Sequence, residues 1–372
     1  MQTIDLAALG QQVLWAAFGL ACLFGVIAQR THFCTMGAVA DIVNIGDWTR
    51  MRMWALAIGV AMIGFNLMVG LGWLSAGQSI YASPRLLWLS NLLGGLMFGF
   101  GMVLASGCGS KTLVRLGAGN LKALVVFIVM ALAAFMTLKG ITAVLRVATV
   151  DAVAVTLSTG QDLPSILAPA LGLSTPQLAL WLGSGIGLAL VLWSLWSAEA
   201  RNVDVLLGGL GTGAVIVGIW WVTGRLGYVA EDPNTLQEAF IRATSAQRMD
   251  ALTFVAPAAF ALDWLMFFSD TSKVLTIAIV STVGVAVGSC IYALLTRSFR
   301  WEAFRGVEDT SNHLMGAVLM GVGGVVAMGC TIGQGLSGLS TLSLGSFIAF
   351  AAILAGAVLA LRLQVWRLER SL

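Results

Sequence analysis

Three cysteines stand where the apolar pattern of the chain is interrupted. Cys34 lies in Arg-Thr-His-Phe-Cys-Thr, Cys108 in Ser-Gly-Cys-Gly-Ser-Lys, and Cys330 in Gly-Cys-Thr-Ile-Gly-Gln. Glycines that permit tight turns and close approach of a ligand adjoin two of them, at Gly107, Gly109 and Gly329. A short helix that begins at such a point directs free N–H groups toward a bound anion. Because a thiol is a weak donor with a polarisable sulfur, the pattern favours a sulfur-containing anion over phosphate.

Polar residues near these cysteines are further candidates for the same pathway. Lys111 follows Cys108 by three positions and could attract anions, or it could be an ordinary lysine at the cytoplasmic end of a span. Gln334 lies one helical turn after Cys330 and could donate a hydrogen bond. His32 could carry a proton or bond to a loop, and Asp263 could be an intramembrane acid or lie at the interface. The sequence leaves both alternatives open.

The remaining cysteines, Cys22 and Cys290, lie inside long apolar runs, where a thiol behaves as a small hydrophobic side chain. The five cysteines form no CxxC pair and have no spacing typical of a zinc site. We therefore predict no metal site, no cofactor and no catalytic residue. A membrane thiol oxidoreductase is the alternative from the enzyme class, but it should show a CxxC motif or an external cysteine pair.

The composition predicts that a lipid bilayer surrounds these residues. Only 10% of the 372 residues are charged and 59% are hydrophobic, whereas soluble domains carry about 25% charged residues. Nine runs are long and apolar enough to span a bilayer. They are Leu6–Ala28, Met53–Leu74, Leu86–Ala105, Leu121–Leu138, Leu178–Trp196, Val203–Val222, Val274–Leu295, Leu314–Met328 and Leu344–Leu361. We predict an all-α polytopic membrane protein with about nine transmembrane helices, in which residues 1–372 form a single integral membrane domain.

Four shorter apolar stretches are interrupted by glycine, proline or polar residues, and we interpret most of them as re-entrant half-helices. They are Cys34–Gly46, Gly107–Gly117, Phe254–Phe268 and Gly329–Leu342. Ile141–Thr156 is more polar and is predicted as an external or interfacial helix. The excess of Lys and Arg in one set of loops predicts an inner-membrane protein with a cytoplasmic C-terminus and an external N-terminus.

A short internal repeat relates the two halves of the chain. Gly94, Gly99, Gly101, Gly107 and Cys108 recur 222 positions later, at Gly316, Gly321, Gly323, Gly329 and Cys330. In the predicted topology the two copies cross the membrane in opposite directions. The sequence therefore predicts inverted repeats at approximately 6–139 and 203–363, joined by 140–202, with a binding site near the midplane.

At these residues the chain resembles the YeeE/YedE family of thiosulfate-uptake transporters. The resemblance rests on Arg30–Cys34, Met36–Asp41, Gly99–Lys111 and Gly316–Gly338. It implies two pseudo-symmetric inverted halves in an hourglass shape, and thiols at Cys34, Cys108 and Cys330 that pass thiosulfate inward. It also implies a separate cytoplasmic sulfur-carrier partner of the TusA type. We therefore expect transport of a small sulfur-containing anion, most simply thiosulfate; another sulfur or selenium solute is the second alternative.

Overall fold

The computed structural model describes residues 6–232, 236–242, 247–304 and 306–371, which are predominantly helical. The helices of the first half are α1 (Leu6–Thr31), α2 (Thr35–Ile45), α3 (Thr49–Gly70), α4 (Trp88–Leu104), α5 (Gly109–Gly117), α6 (Leu121–Lys139), α7 (Ile141–Ala148), α8 (Leu163–Leu171) and α9 (Thr175–Leu195). The second half contains α10 (Val203–Leu226), α11 (Ala256–Met266), α12 (Ile277–Leu295), α13 (Val307–Val326), α14 (residues 331–340) and α15 (Leu344–Ser371).

Eight helical segments of the described chain are long and apolar enough to cross a membrane, which confirms the predicted all-α polytopic class. They are Leu6–Ile45, Thr49–Gly70, Trp88–Gly117, Leu121–Lys139, Thr175–Leu195, Val203–Leu226, Ile277–Leu295 and Leu344–Arg367. The ninth predicted run, Leu314–Met328, falls mainly within α13. That helix is not among the eight, and its first turn is acidic, with Glu308 and Asp309.

Each of the four interrupted stretches contains a short helix. Cys34–Gly46 contains α2, Gly107–Gly117 contains α5, Phe254–Phe268 contains α11, and Gly329–Leu342 contains α14. In α14 the residues Gly333–Gly338 form a π-helical segment, and π-turns are frequent at functional sites.

A glycine seam holds α4 against α13, and its glycines belong to the sequence repeat. A Cβ on Gly94 would lie 2.8 Å from the Gly323 oxygen, and one on Gly323 would lie 2.7 Å from the Gly94 oxygen. Gly101 and Gly316 oppose each other in the same way, at 2.8 and 2.6 Å. The helices are therefore antiparallel, and only glycine permits their backbones to approach so closely.

A short helix and two small strand pairs occur in the segments that connect the long helices. The predicted interfacial segment Ile141–Thr156 begins as α7, which has no buried residue, but the helix ends at Ala148. Val155–Thr156 instead pairs antiparallel with Arg85–Leu86 as a two-residue strand. A second two-residue ladder joins Tyr228–Val229 to Ala239–Phe240.

Asp263 is a buried residue of α11 with two cationic neighbours. Its carboxylate accepts hydrogen bonds from the ammonium groups of Lys139 at 2.9 Å and Lys273 at 2.8 Å. Of the two alternatives that the sequence left open, this geometry favours an interfacial ion bridge.

Candidate functional site

Three hinges of the same construction carry the three candidate cysteines. The residue two positions before each cysteine has a positive φ: 52° at His32, 55° at Ser106 and 56° at Met328. This left-handed conformation is uncommon outside glycine and ends the preceding helix. A short helix then starts directly after each cysteine, as α2, α5 and α14. His32 is therefore the turn residue of its hinge, a position at which histidine is enriched.

The cysteines occupy the N-cap position, where serine, threonine, aspartate or asparagine would normally accept a helix N–H. Neither Cys34 nor Cys108 makes a side-chain cap bond. At the third hinge the Gly333 N–H reaches the Cys330 sulfur at 3.5 Å, a weak contact. The N–H groups of Gly37 and Lys111 lie close to the sulfurs of Cys34 and Cys108 in the same way. These contacts with sulfur are weak, and the positive dipole ends of the three helices favour an anion.

The hinges bring the thiols and several hydroxyl groups together inside the protein. Cys108 and Cys330 are completely buried and Cys34 is 5% exposed. The side chains of Cys34 and Cys108 are close enough to interact, and Cys108 also lies against Thr331. The Ser110 hydroxyl is 3.2 Å from the Cys108 sulfur, and the Thr253 hydroxyl is 3.6 Å from the Cys330 sulfur. The result is one buried series of soft sulfur atoms and hydroxyl groups.

Two further buried hydroxyl groups lie at the starts of these helices. Thr35 and Thr331 are each the first residue of the helix that follows a candidate cysteine. The Thr35 hydroxyl has no hydrogen-bond partner among the described residues, and the Thr331 hydroxyl faces the Cys108 thiol. Both side chains are fully buried. A buried hydroxyl normally finds a partner, so these two positions are suited to hydrogen bonding with a passing ligand.

Cationic side chains surround the Cys34–Cys108 end of the series. Lys111 interacts electrostatically with both thiols, and its side chain lies over Gly107. Arg50 lies against Gly37 and forms an ion pair with Asp41 at 2.7 Å. Arg115 donates to the Ser106 carbonyl at 2.9 Å and so supports the left-handed turn. Positive charge at this end favours the arrival or departure of an anion.

Gln334 is placed beside the Cys330 hinge, but other groups hold its amide. Its nitrogen donates to the Ala327 carbonyl at 2.6 Å, and its oxygen accepts from the Ser346 hydroxyl at 2.6 Å. Its side chain also packs against Gly329. These bonds tie α13, α14 and α15 together at the hinge, and a direct contact with a ligand stays a prediction. Gly109, in contrast, opens α5 directly after Cys108.

Cys22 and Cys290 lie away from the hinges, inside α1 and α12. A Cβ on Gly288 would lie 2.0 Å from the Cys22 carbonyl oxygen, so this cysteine stands where the two helices pack most closely. The geometry favours the packing role that the sequence suggested.

A cavity of about 350 Å³ reaches the Cys330 hinge, and we name it the Asp250 cavity. Its lining includes Asp250, Thr253, Pro257, Phe260 and Gly329. Because the Thr253 hydroxyl lies 3.6 Å from the Cys330 sulfur, the cavity lies beside this thiol.

Sequence reasoning missed several residues of this site. Thr35 and Thr331 could have been found, because Cys-Thr occurs at both Cys34 and Cys330. Thr253 and Asp250 lie outside the predicted spans and half-helices, and no local pattern marked them. No group of three or more His, Cys, Asp or Glu residues suited to a metal ion occurs in the described part of the chain.

The family model for sulphur transport matches residues 30–359, which include all three hinges. The chain belongs to the sulphur transport family. It is 28% identical to the thiosulfate transporter TsuA of Escherichia coli K12, over 86% of both chains. It is 23% identical to a second thiosulfate transporter TsuA, from Spirochaeta thermophila, over 91% of this chain and 94% of that one. A shorter match, 32% identical over 27% of the chain, is to the probable transporter YedE of Escherichia coli.

Proposed function

We propose that the protein imports thiosulfate across the cytoplasmic membrane, without covalent chemistry, along the series of thiols at Cys330, Cys108 and Cys34. The observation that carries this proposal is the repeated hinge: three buried cysteines, each at the start of a short helix whose positive dipole end lies beside the thiol. Two relatives that align over most of the chain are named thiosulfate transporters, which supports the choice of anion.

The physical basis is compensation of a dianion's desolvation by several modest interactions. Moving a charge into a low-dielectric interior is costly unless fixed dipoles and hydrogen bonds replace water. Helix N-termini provide the dipoles, thiols donate weak hydrogen bonds to the terminal sulfur, and Thr35 and Thr331 offer hydroxyls to the oxygens. Weak sites in series let an ion enter and leave, whereas one tight site would retain it. Lys111 then draws the anion toward the exit.

The two halves are proposed to be inverted repeats, at approximately 6–139 and 203–363, joined by 140–202. The contacts of Gly94 with Gly323 and of Gly101 with Gly316 support this. Gly316 and Gly323 are the repeat equivalents of Gly94 and Gly101, and a pseudo-two-fold axis that exchanges the two copies turns one of these contacts into the other. The turn residues Ser106 and Met328 support it as well, because they are separated by the same 222 positions as the two copies of the repeat. With α13 as a proposed ninth span, we place the N-terminus outside and the C-terminus in the cytoplasm, with the Asp250 cavity facing outward.

A separate TusA-like sulfur carrier is the proposed cytoplasmic acceptor. The cationic side chains of Lys111, Arg50 and Arg115 lie at the exit end of the thiol series in this orientation. We infer that the protein itself is a transporter and not an enzyme, consistent with relatives that are named transporters.

The test is thiosulfate-dependent growth, and uptake of labelled thiosulfate, in cells that lack their own thiosulfate and sulfate importers. We expect the wild-type protein to support uptake, and Cys330→Ala or Cys108→Ala to reduce it sharply while still reaching the membrane. Cys22→Ala is the matched control, because its thiol lies between packed helices. Full uptake by both hinge variants would rule out the thiol pathway, and no uptake by membrane-inserted wild type would rule out thiosulfate as substrate.

A further inference from the structure

Asp250 is a fully buried carboxyl group in the wall of the cavity that leads to Cys330. Its Oδ1 atom accepts the N–H of Ala251 at 2.9 Å. Its Oδ2 atom is buried and has no hydrogen-bond partner among the described residues. Thr253, three residues further along, contacts the Cys330 thiol. The unpartnered oxygen therefore belongs to the same short segment as the residue that contacts Cys330, the first sulfur of the proposed pathway.

The charged and titratable groups around this cavity have partners other than Asp250. Arg146 and Asp151 also line it, and they form an ion pair at 3.0 Å. Arg248 donates to the Ser79 carbonyl at 3.4 Å. Tyr81 is close enough to Asp250 and Cys330 for an electrostatic interaction, and its hydroxyl donates a hydrogen bond to the Gly333 carbonyl at 2.6 Å. Within the described chain, no ion pair neutralises Asp250.

A further ionic cluster lies in the neighbouring cavity, which shares only Phe260 with the Asp250 cavity. There Asp263 is held by Lys139 and Lys273. Asp263 has its positive partners in place, whereas Asp250 has none among the described residues. The two carboxyl groups are therefore a natural pair for comparison.

An unpaired carboxylate in a buried site is unfavourable, so such a group tends to take up a proton. Burial raises the pKa of Asp250 to about 7. The proton is then held in mildly acidic conditions and lost as the pH rises through this value. The two forms differ in what they can do: a carboxylate only accepts hydrogen bonds, whereas the protonated group donates one.

We propose that Asp250 is a proton-binding site that must be protonated before the transported anion can occupy the Asp250 cavity, so that uptake follows the external proton concentration. This inference rests on the proposed function. A dianion beside an ionised Asp250 would meet repulsion in a low-dielectric wall. Beside the protonated form, it receives a hydrogen bond from the otherwise unpartnered Oδ2.

The test is initial uptake of thiosulfate at subsaturating concentration into proteoliposomes with equal pH on both sides. The protonated fraction of one group with a pKa near 7 falls about tenfold between pH 6 and pH 8, and uptake by wild type should fall by about the same factor. Asp250→Asn keeps a donor but cannot titrate, so its uptake should vary less than about twofold over this range. Asp263→Asn is the control and should retain the steep pH dependence.

Each outcome decides the matter. A flat wild-type profile, a steep profile in Asp250→Asn, or an inactive Asp250→Asn protein that is present in the vesicles would overturn the inference. If Asp250→Asn does not assemble, the wild-type profile still decides, because a flat curve refutes the inference without any variant. Absence of thiosulfate uptake by wild type at every pH would instead refute the proposed function.

Discussion

Gly323→Ala tests whether the glycine seam between α4 and α13 sets the positions of the hinges. The new Cβ would lie 2.6 Å from the Phe98 nitrogen and 2.7 Å from the Gly94 oxygen. Both atoms belong to the backbone and cannot rotate away. To remove these two short contacts, the helices must separate by about 0.8 Å. A gap of this order weakens each dispersion contact along the seam by about a quarter to a half.

Overpacking of this kind costs about 1–3 kcal/mol in the free energy of unfolding. Alanine is also a better helix former than glycine by about 1 kcal/mol, so a control must carry the same gain. Gly185→Ala, in the middle of α9, provides it, because a Cβ there meets nothing within 4 Å. The difference in the free energy of unfolding between the two variants therefore measures the effect of packing at the seam alone. We expect Gly323→Ala to be less stable than Gly185→Ala by about 1–3 kcal/mol.

The assay is thermal unfolding of the detergent-solubilised protein, followed by thiosulfate uptake in proteoliposomes. Gly323→Ala should melt below Gly185→Ala, and its uptake should fall because a wider seam moves the Cys330 hinge away from Cys108. Gly101→Ala, at the equivalent position of the first repeat, should behave alike. A Gly323→Ala protein as stable as Gly185→Ala would refute the close packing, and with it the argument that the seam places the hinges.

Two further predictions concern the hinges themselves. Lys111→Gln removes a cation that lies close to Cys34 and Cys108. Loss of about 1 kcal/mol of attraction should lower uptake at low salt by about fivefold. Arg362→Gln, an exposed change on α15, should have little effect, and an equal loss in both variants would contradict a local role for Lys111. Cys108→Ser should stabilise the protein by about 0.5–1 kcal/mol, because serine caps α5, yet uptake should fall; a serine variant that melts higher and transports normally would show that the thiol is dispensable.

Much of the framework could be predicted from the sequence, because membrane spans and their interruptions are local features. Runs of apolar residues gave the long helices, and Gly-Cys segments marked the starts of α5 and α14. The exception, Leu314–Met328, shows the limit of a hydropathy window. Its helix extends back to Val307 through polar residues, and Asp309 there binds Lys122 at 2.8 Å.

What the sequence could not reveal depends on contacts between distant segments. The equivalence of the Cys34 hinge to the other two rests on backbone conformation at His32, and no glycine marks it. The Asp250 cavity forms because residues near 250, 329 and 146 meet in space, although they are far apart in the chain.

The choice of cysteine at the three hinges follows from two opposing requirements on a helix start. A serine or aspartate at the N-cap would satisfy a helix N–H and stabilise the fold, but it would also occupy the donor that an anion needs. An alanine would leave the donor free but offer nothing to the ligand. Cysteine leaves the first N–H groups of α2 and α5 uncapped and still places a polarisable donor beside them. An anion that carries its own sulfur gains from both features, whereas phosphate gains mainly from the first.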